Sequence, residues 1–395
     1  MTTTTENQGG GSPSSSTAFM GRAFFSLRRG AQVVSMEQGQ EQDLDLFQSH
    51  VADRLLALMP AHGSGGEAYP LLSLAFLSKL LDALLSCDEE FRSLLGRNHT
   101  CLLAKSPADR AVNDLLDRAV KSLDVCNAVT LALHSLRHWH RHALIAASAL
   151  LPAHPGEGPL NRARRALAKL FASCPNSPFA ASARTEGSGS SGRSASSHMR
   201  ALSSTVSRNW SSSRPMPPVP AHLATPRGGE AGGAGMALAV YAMSSALAFT
   251  MWALAAAVPS QDRGSGASSS PVSPRQHLPW AGAMLGLQDR ITEESRRRRS
   301  AAGLLAEMQG VERCGRELME AVGESGPPQS PSEDMAARAA ELAEACRRLD
   351  EGLGPLERQV REVFHRMVRS RAEVLRCVEQ STRAAAVLPN PPLVS

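Results

Sequence analysis

Of 395 residues, 42 are Lys or Arg and 37 are Asp or Glu, a formal net charge of +5, and only 4% are aromatic. That length admits two or three domains, and few aromatics beside plentiful Ala and Leu favour helices over sheet. The positive balance is mild and spread out, with no basic groove interleaved with aromatics, which argues against nucleic acid as a partner.

Residues 1–40 begin polar and Ser/Thr-rich; Arg22, Arg28 and Arg29 then stand among Phe19, Phe24, Phe25 and Leu27. We read this stretch as a disordered basic and aromatic N-terminus, although the same composition suits a plastid transit peptide or a patch on anionic lipid. Residues 1–17 are polar throughout and do not resemble a signal peptide. An N-terminal helical half follows over 41–171. Leu44, Phe47, Val51, Leu55 and Leu58 repeat every three or four residues until Pro60. A second helix over about 71–95 carries Leu77, Leu80, Leu81, Leu84, Phe91 and Leu95 on one face. The third starts with Ser106 as N-cap, Pro107 at the first helical position and Asp109 in the first turn, and runs to about Leu151. Its stripe is Val112, Leu116, Ala119, Leu123, Cys126, Thr130 and Leu133, and a short basic helix over about 160–171 closes this half.

Residues 172–234 hold six arginines and two glutamates in a Ser/Gly/Pro-rich background, too little apolar content to fold, so they read as a disordered linker. Gly235–Val258 follows, and no charged side chain occurs between Ala231 and Gln261. As a helix it would be about 36 Å long, enough for a bilayer core. It is nonetheless weakly apolar. Leu238, Val240, Leu247, Phe249, Leu254 and Val258 together favour insertion by only roughly 2 to 4 kcal/mol, and Ser244, Ser245 and Thr250 oppose it. Small residues four apart suit close helix contacts in lipid or in protein. This hydrophobic segment, marked by Gly235, Tyr241, Met251, Trp252 and Val258, therefore reads first as a buried core helix and second as a transmembrane helix. As core it would be covered by the faces of 107–133 and 356–380.

The C-terminal helical half spans 280–380. A helix over about 280–322 carries Leu285, Leu304, Leu305, Met308, Val311 and Leu318, with Arg296–Arg299 on a solvated face or against phospholipid headgroups. Two further helices run over Met335–Leu349 and Leu356–Gln380, the latter amphipathic through Leu356, Val360, Phe364, Met367, Leu375 and Val378. Residues 384–395 read as a disordered tail. The expected fold is all-α: an elongated bundle in two halves joined by the linker, with one central hydrophobic helix.

Chemistry is sparse. His134, His138, His140 and His142 surround Trp139, and two pairs have the i, i+4 spacing of metal ligands, but no carboxylate or cysteine stands nearby in the chain. Seven cysteines without a CxxC pair imply reduced thiols in a reducing compartment. No phosphate-cradling loop or nucleophile motif occurs, so we expect no enzyme, no catalytic residue, no metal, no cofactor and no small-molecule substrate.

Five stretches carry a family resemblance in matching order: GRAFFSLRRGAQVVSME (21–37), LLDRAVKSLDVCNAV (115–129), MSSALAFTMWALAAAVPSQDR (243–263), WAGAMLGLQDRITEE (280–294) and GLLAEM (303–308). They resemble the plant BYPASS-related or ROH family across roughly 21–170 and 235–380. The most specific block is Met251, Trp252, Ala253, Leu254, Pro259, Gln261, Asp262 and Arg263, with Ser260 where the family pattern has a cysteine. The resemblance implies a non-enzymatic adaptor that binds the seventy-kilodalton subunit of the exocyst in polarised secretion and in cell-wall and mucilage deposition. Another branch of the family implies control of a root-derived mobile signal by a single-pass membrane protein. The expected location is the cytosol and the cytoplasmic face of the plasma membrane.

Overall fold

A computed structural model describes residues 38–59, 70–96, 100–103, 106–152, 156–172, 231–257, 274, 277–297, 305–324 and 333–387. The readings made for residues 1–37, 173–230 and 388–395 lie outside these residues, while 38–40, 172, 231–234 and 384–387, read as disordered, extend the neighbouring helices. Every regular element among them is a helix. In chain order these are α1 (38–56), α2 (Leu74–Leu94), α3 (Thr100–Leu103), α4 (Ala108–Leu150), α5 (Glu157–Ala172), α6 (Ala231–Ala257), α7 (Ala281–Arg297), α8 (Ala306–Glu324) and α9 (Glu333–Val387). At 1.5 Å per residue α4 is about 65 Å long and α9 about 82 Å, so the bundle is elongated.

The apolar stripes of the sequence become one core that draws on helices from both sides of the linker. Leu44, Phe47, Val51 and Leu55 of α1 are buried, as are Leu77, Leu80, Leu81, Leu84 and Phe91 of α2. The Ser73 hydroxyl caps α2 by accepting the Phe76 N–H at 3.1 Å. Ahead of it, buried Leu72 adopts φ 60°, a left-handed conformation unfavourable to a branched residue. The start of α8 holds that turn. Leu72 C=O accepts the Ala306 N–H at 3.3 Å, and the Glu307 carboxylate accepts the Leu74 N–H at 3.0 and 3.1 Å.

Five expectations are corrected. Helix α4 begins at Ala108 with Pro107 in the preceding turn, which places Ser106 one residue too early to cap it. The buried stripe of α4 includes Ser122, Val125, Val129 and Leu136, while Leu123 and Thr130 are half-buried. Such a long helix meets different neighbours along its length, and its buried face shifts accordingly. The stretch over 280–322 is two helices: α7 packs back on α6, whereas α8 is tied to the turn before α2 and packs on α5 and α9. The arginine run begins at the end of α7, where Arg296 and Arg297 approach Glu293. Conversely, the two helices expected over 335–380 are one, although Gly352, Gly354 and Pro355 lie inside it. An internal proline costs about 3 kcal/mol. Leu349, Leu353, Leu356 and Val360, all 2% exposed or less, return roughly 6 to 12 kcal/mol by burial, so packing wins. Gly352 also permits close approach: a Cβ there would lie 2.6 Å from Leu74 Cδ1.

Finally, the cover of the central helix differs on one side. The expected face of α4 lies on α6, joined by α2 and α3. Helix α9 packs along α4, α2 and α3 instead, and meets α6 across a small cavity lined by Met243, Leu247, Met367 and Val374.

Candidate functional site

Helix α6 is apolar on all sides, which suits a helix surrounded by protein or lipid. Here protein surrounds it. Ala234–Ala257 has a mean hydropathy of 1.6 and is long enough to cross a membrane, yet 89% of its most apolar window is buried within the fold. Ser245 and Thr250 donate to the Tyr241 and Ala246 carbonyls one turn back, at 2.7 and 2.8 Å, so each hydroxyl has an acceptor within its own helix. Gly235 is half-buried against Leu44 of α1. Tyr241 lies 5.7 Å from the ring of Trp280, and Trp252 lies 6.1 Å from that of Phe249. Of the family motif, Met251, Ala253 and Leu254 are buried and Trp252 is half-buried. Val258, Pro259, Gln261, Asp262 and Arg263 lie outside the described residues.

A buried acid that belongs to no sequence motif stands beside α6. Asp88 of α2 is 0% exposed and borders the small cavity with Ser370 and Arg371 of α9. The cavity, about 20 Å³, is large enough for one water. Neither carboxylate oxygen meets a donor at hydrogen-bonding geometry, although the Ser370 hydroxyl faces them. Burial pushes this carboxyl up to about 6, against the opposing pull of Ser370, Arg92 and Arg366. A signal existed in the sequence. Position 88 falls on the apolar face of α2, between Leu84 and Phe91, where a charge has no ordinary reason to be.

The histidines divide among several surroundings. His140 is buried, 3.8 Å from Asp350, while exposed His134 lies 3.6 Å from Glu357. Carboxylates therefore do stand near two of them, contrary to the expectation from the local chain; both come from α9, more than 200 positions away. His138 and His142 meet edge-on at 5.9 Å on another side of α4, and Trp139 donates to the Leu170 carbonyl at 3.1 Å. Burial, and then the charges of His138 and Lys169, hold His142 below its ordinary range.

One group missed in the sequence has ligand atoms within 4.8 Å of one another: Cys314 and Glu317 on α8 and Glu341 on α9. Burial raises the Cys314 thiol, which favours the protonated form that does not ligate metal, and Arg313 lies 3.8 Å from Glu317. Cys87, Cys126, Cys346 and Cys377 are likewise free and buried.

The family model "Protein ROH1-like" matches residues 12–378. Among curated relatives, Protein ROH1A of Arabidopsis thaliana is 37% identical over 409 residues, covering 93% of this chain and 97% of that protein. Protein ROH1D of Arabidopsis thaliana is 38% identical over 388 residues, covering 90% and 95% respectively. No solved structure matches the chain.

Proposed function

We infer that this chain, which belongs to the ROH1-like family, is a non-enzymatic helical adaptor at the cytoplasmic face of the plasma membrane that engages the seventy-kilodalton exocyst subunit in polarised secretion. The observation that carries this reading is family membership over nearly the whole chain, in a family whose name denotes no reaction. The architecture supports it. Helices α4 and α9 offer long outer faces to a partner, and the most apolar helix is turned inward. The test is capture of exocyst subunits from plant extract by the full chain. Enrichment of the seventy-kilodalton subunit is expected, and repeated failure to enrich any subunit would overturn the adaptor reading.

A second reading has α6 as a single-pass anchor in a regulator of a mobile root signal, and the length and hydropathy of α6 favour it. Extraction of membranes from expressing cells with alkaline carbonate separates the two. We expect release into the supernatant; retention in the pellet, with one half of the chain shielded from protease, would establish the anchor.

A further inference from the structure

The charge of this protein is less evenly spread than its composition suggests. Residues 127–172, covering most of α4 and all of α5, contain six Lys and Arg and a single acid, Glu157. That balance of +5 equals the formal charge of the whole chain. The two helices are joined by the short 151–156 connection and run antiparallel. Trp139 reaches the Leu170 carbonyl, and Lys169 acts electrostatically on His142. With equal rise on both helices, Arg165 stands level with about Ile145 and Arg162 with about Ser148.

Two of the six cations are engaged inward: Arg137 pairs with Glu357, and Arg164 donates to the Val322 carbonyl at 2.8 Å. Arg141, Arg162, Arg165 and Lys169 are exposed, and His142, near Lys169, packs edge-on against His138. Exposed aliphatic side chains sit next to these charges: Leu144 at 38%, Ile145 at 44% and Leu151 at 48%. Cations beside unburied aliphatics match a lipid surface, where anionic headgroups take the charge and the acyl boundary takes the apolar contacts. An acidic peptide would use the first feature and leave the second exposed to water, and among the described residues of this face no exposed Phe, Tyr or Trp offers a base a place to stack.

We propose that the α4–α5 face docks on anionic phospholipid, holding the bundle flat against the membrane with α6 still buried. This rests on the membrane-face part of the reading above and is independent of the exocyst.

The experiment is co-sedimentation of the full chain with vesicles of phosphatidylcholine alone and of phosphatidylcholine with phosphatidylserine. Binding is expected on the anionic vesicles only, and high salt should reverse it. Each arginine near such a surface changes partitioning about fivefold, so the combined Arg141→Gln, Arg162→Gln and Arg165→Gln variant should bind about a hundredfold more weakly. Ile145→Ser should weaken binding separately. The combined Arg296→Gln and Arg297→Gln variant, on a different exposed arginine cluster, should bind normally. Equal binding to both vesicle types, or full binding by the triple variant, would overturn the proposal. So would loss in the Arg296 and Arg297 variant alone. Exocyst capture by the triple variant keeps the readings apart: lost capture with intact vesicle binding would make this face a protein interface and remove the lipid assignment.

Discussion

Replacing Asp88 by Asn should stabilise the protein near neutral pH. The side chain keeps its size and its place beside Ser370 and the cavity, but no longer has to hold a charge where both carboxylate oxygens are buried. In the fold this carboxyl titrates at about 6, above its free value of 3.8. A raised folded value means that the folded state binds the proton more tightly. Its contribution is therefore fully present below about 3.8 and is lost as pH rises through about 6. The difference of roughly two units corresponds to about 3 kcal/mol, the penalty carried by the wild type once the group is ionised. Urea unfolding of wild type and Asp88→Asn, followed by circular dichroism, should show the variant about 2 to 3 kcal/mol more stable near pH 8, and the two close to equal near pH 4. Lower stability of the variant near pH 8 would refute the reasoning. It would mean that attraction to Arg92, Arg366 and the neighbouring Arg371 outweighs the cost of burial.

Gly352→Ala should destabilise by roughly 1 kcal/mol, because overpacking against Leu74 outweighs the helix propensity gained; a raised urea midpoint would contradict the close approach of α9 to α2. Leu247→Ala, at a fully buried position of α6, should cost about 2 to 5 kcal/mol in solution, and an unchanged midpoint would mean that this face does not pack on protein. Burial pushes the thiols of Cys87, Cys126 and Cys346 up to about 12, so a thiol reagent at neutral pH should modify them only after denaturant is added. Prompt modification of any of the three in the native protein, located by mass spectrometry, would argue against the packing around it.

Local periodicity was enough to find the buried faces of α1 and α2 and the apolar nature of α6, because each of these helices has a dense or regular apolar pattern. It failed where distant packing overrides local preference. Pro355 looks like a helix end until the burial of Leu349, Leu353, Leu356 and Val360 is counted, and that burial depends on α2 and α4. The C-terminal stripe was close in phase but incomplete: Val363, Val374 and Cys377 are buried, whereas Phe364, Leu375 and Val378 are only half-buried. For the candidate sites, the sequence offered residue types without neighbours. Nothing local announces that Asp350 faces His140 or that Glu341 reaches Cys314, since those pairs form only when α9 folds back. Asp88 was detectable as a charge on an apolar stripe. The α4–α5 patch was hidden by averaging charge over the whole chain.

The order of helices along the chain bears on what happens during synthesis. An apolar segment such as α6 resembles a membrane anchor to any factor that inspects a nascent chain as it leaves the ribosome. Its chief partners, α2, α3 and α4, all precede it, with the residues between α5 and α6 in between, so they have emerged by the time it appears. Small helical units assemble in microseconds to milliseconds, whereas elongation adds only about 5 to 20 residues per second. Cover for α6 is therefore at hand during translation, without waiting for α9. A chain that lacked α4 would present the same helix uncovered, with a bilayer as the alternative place to bury it.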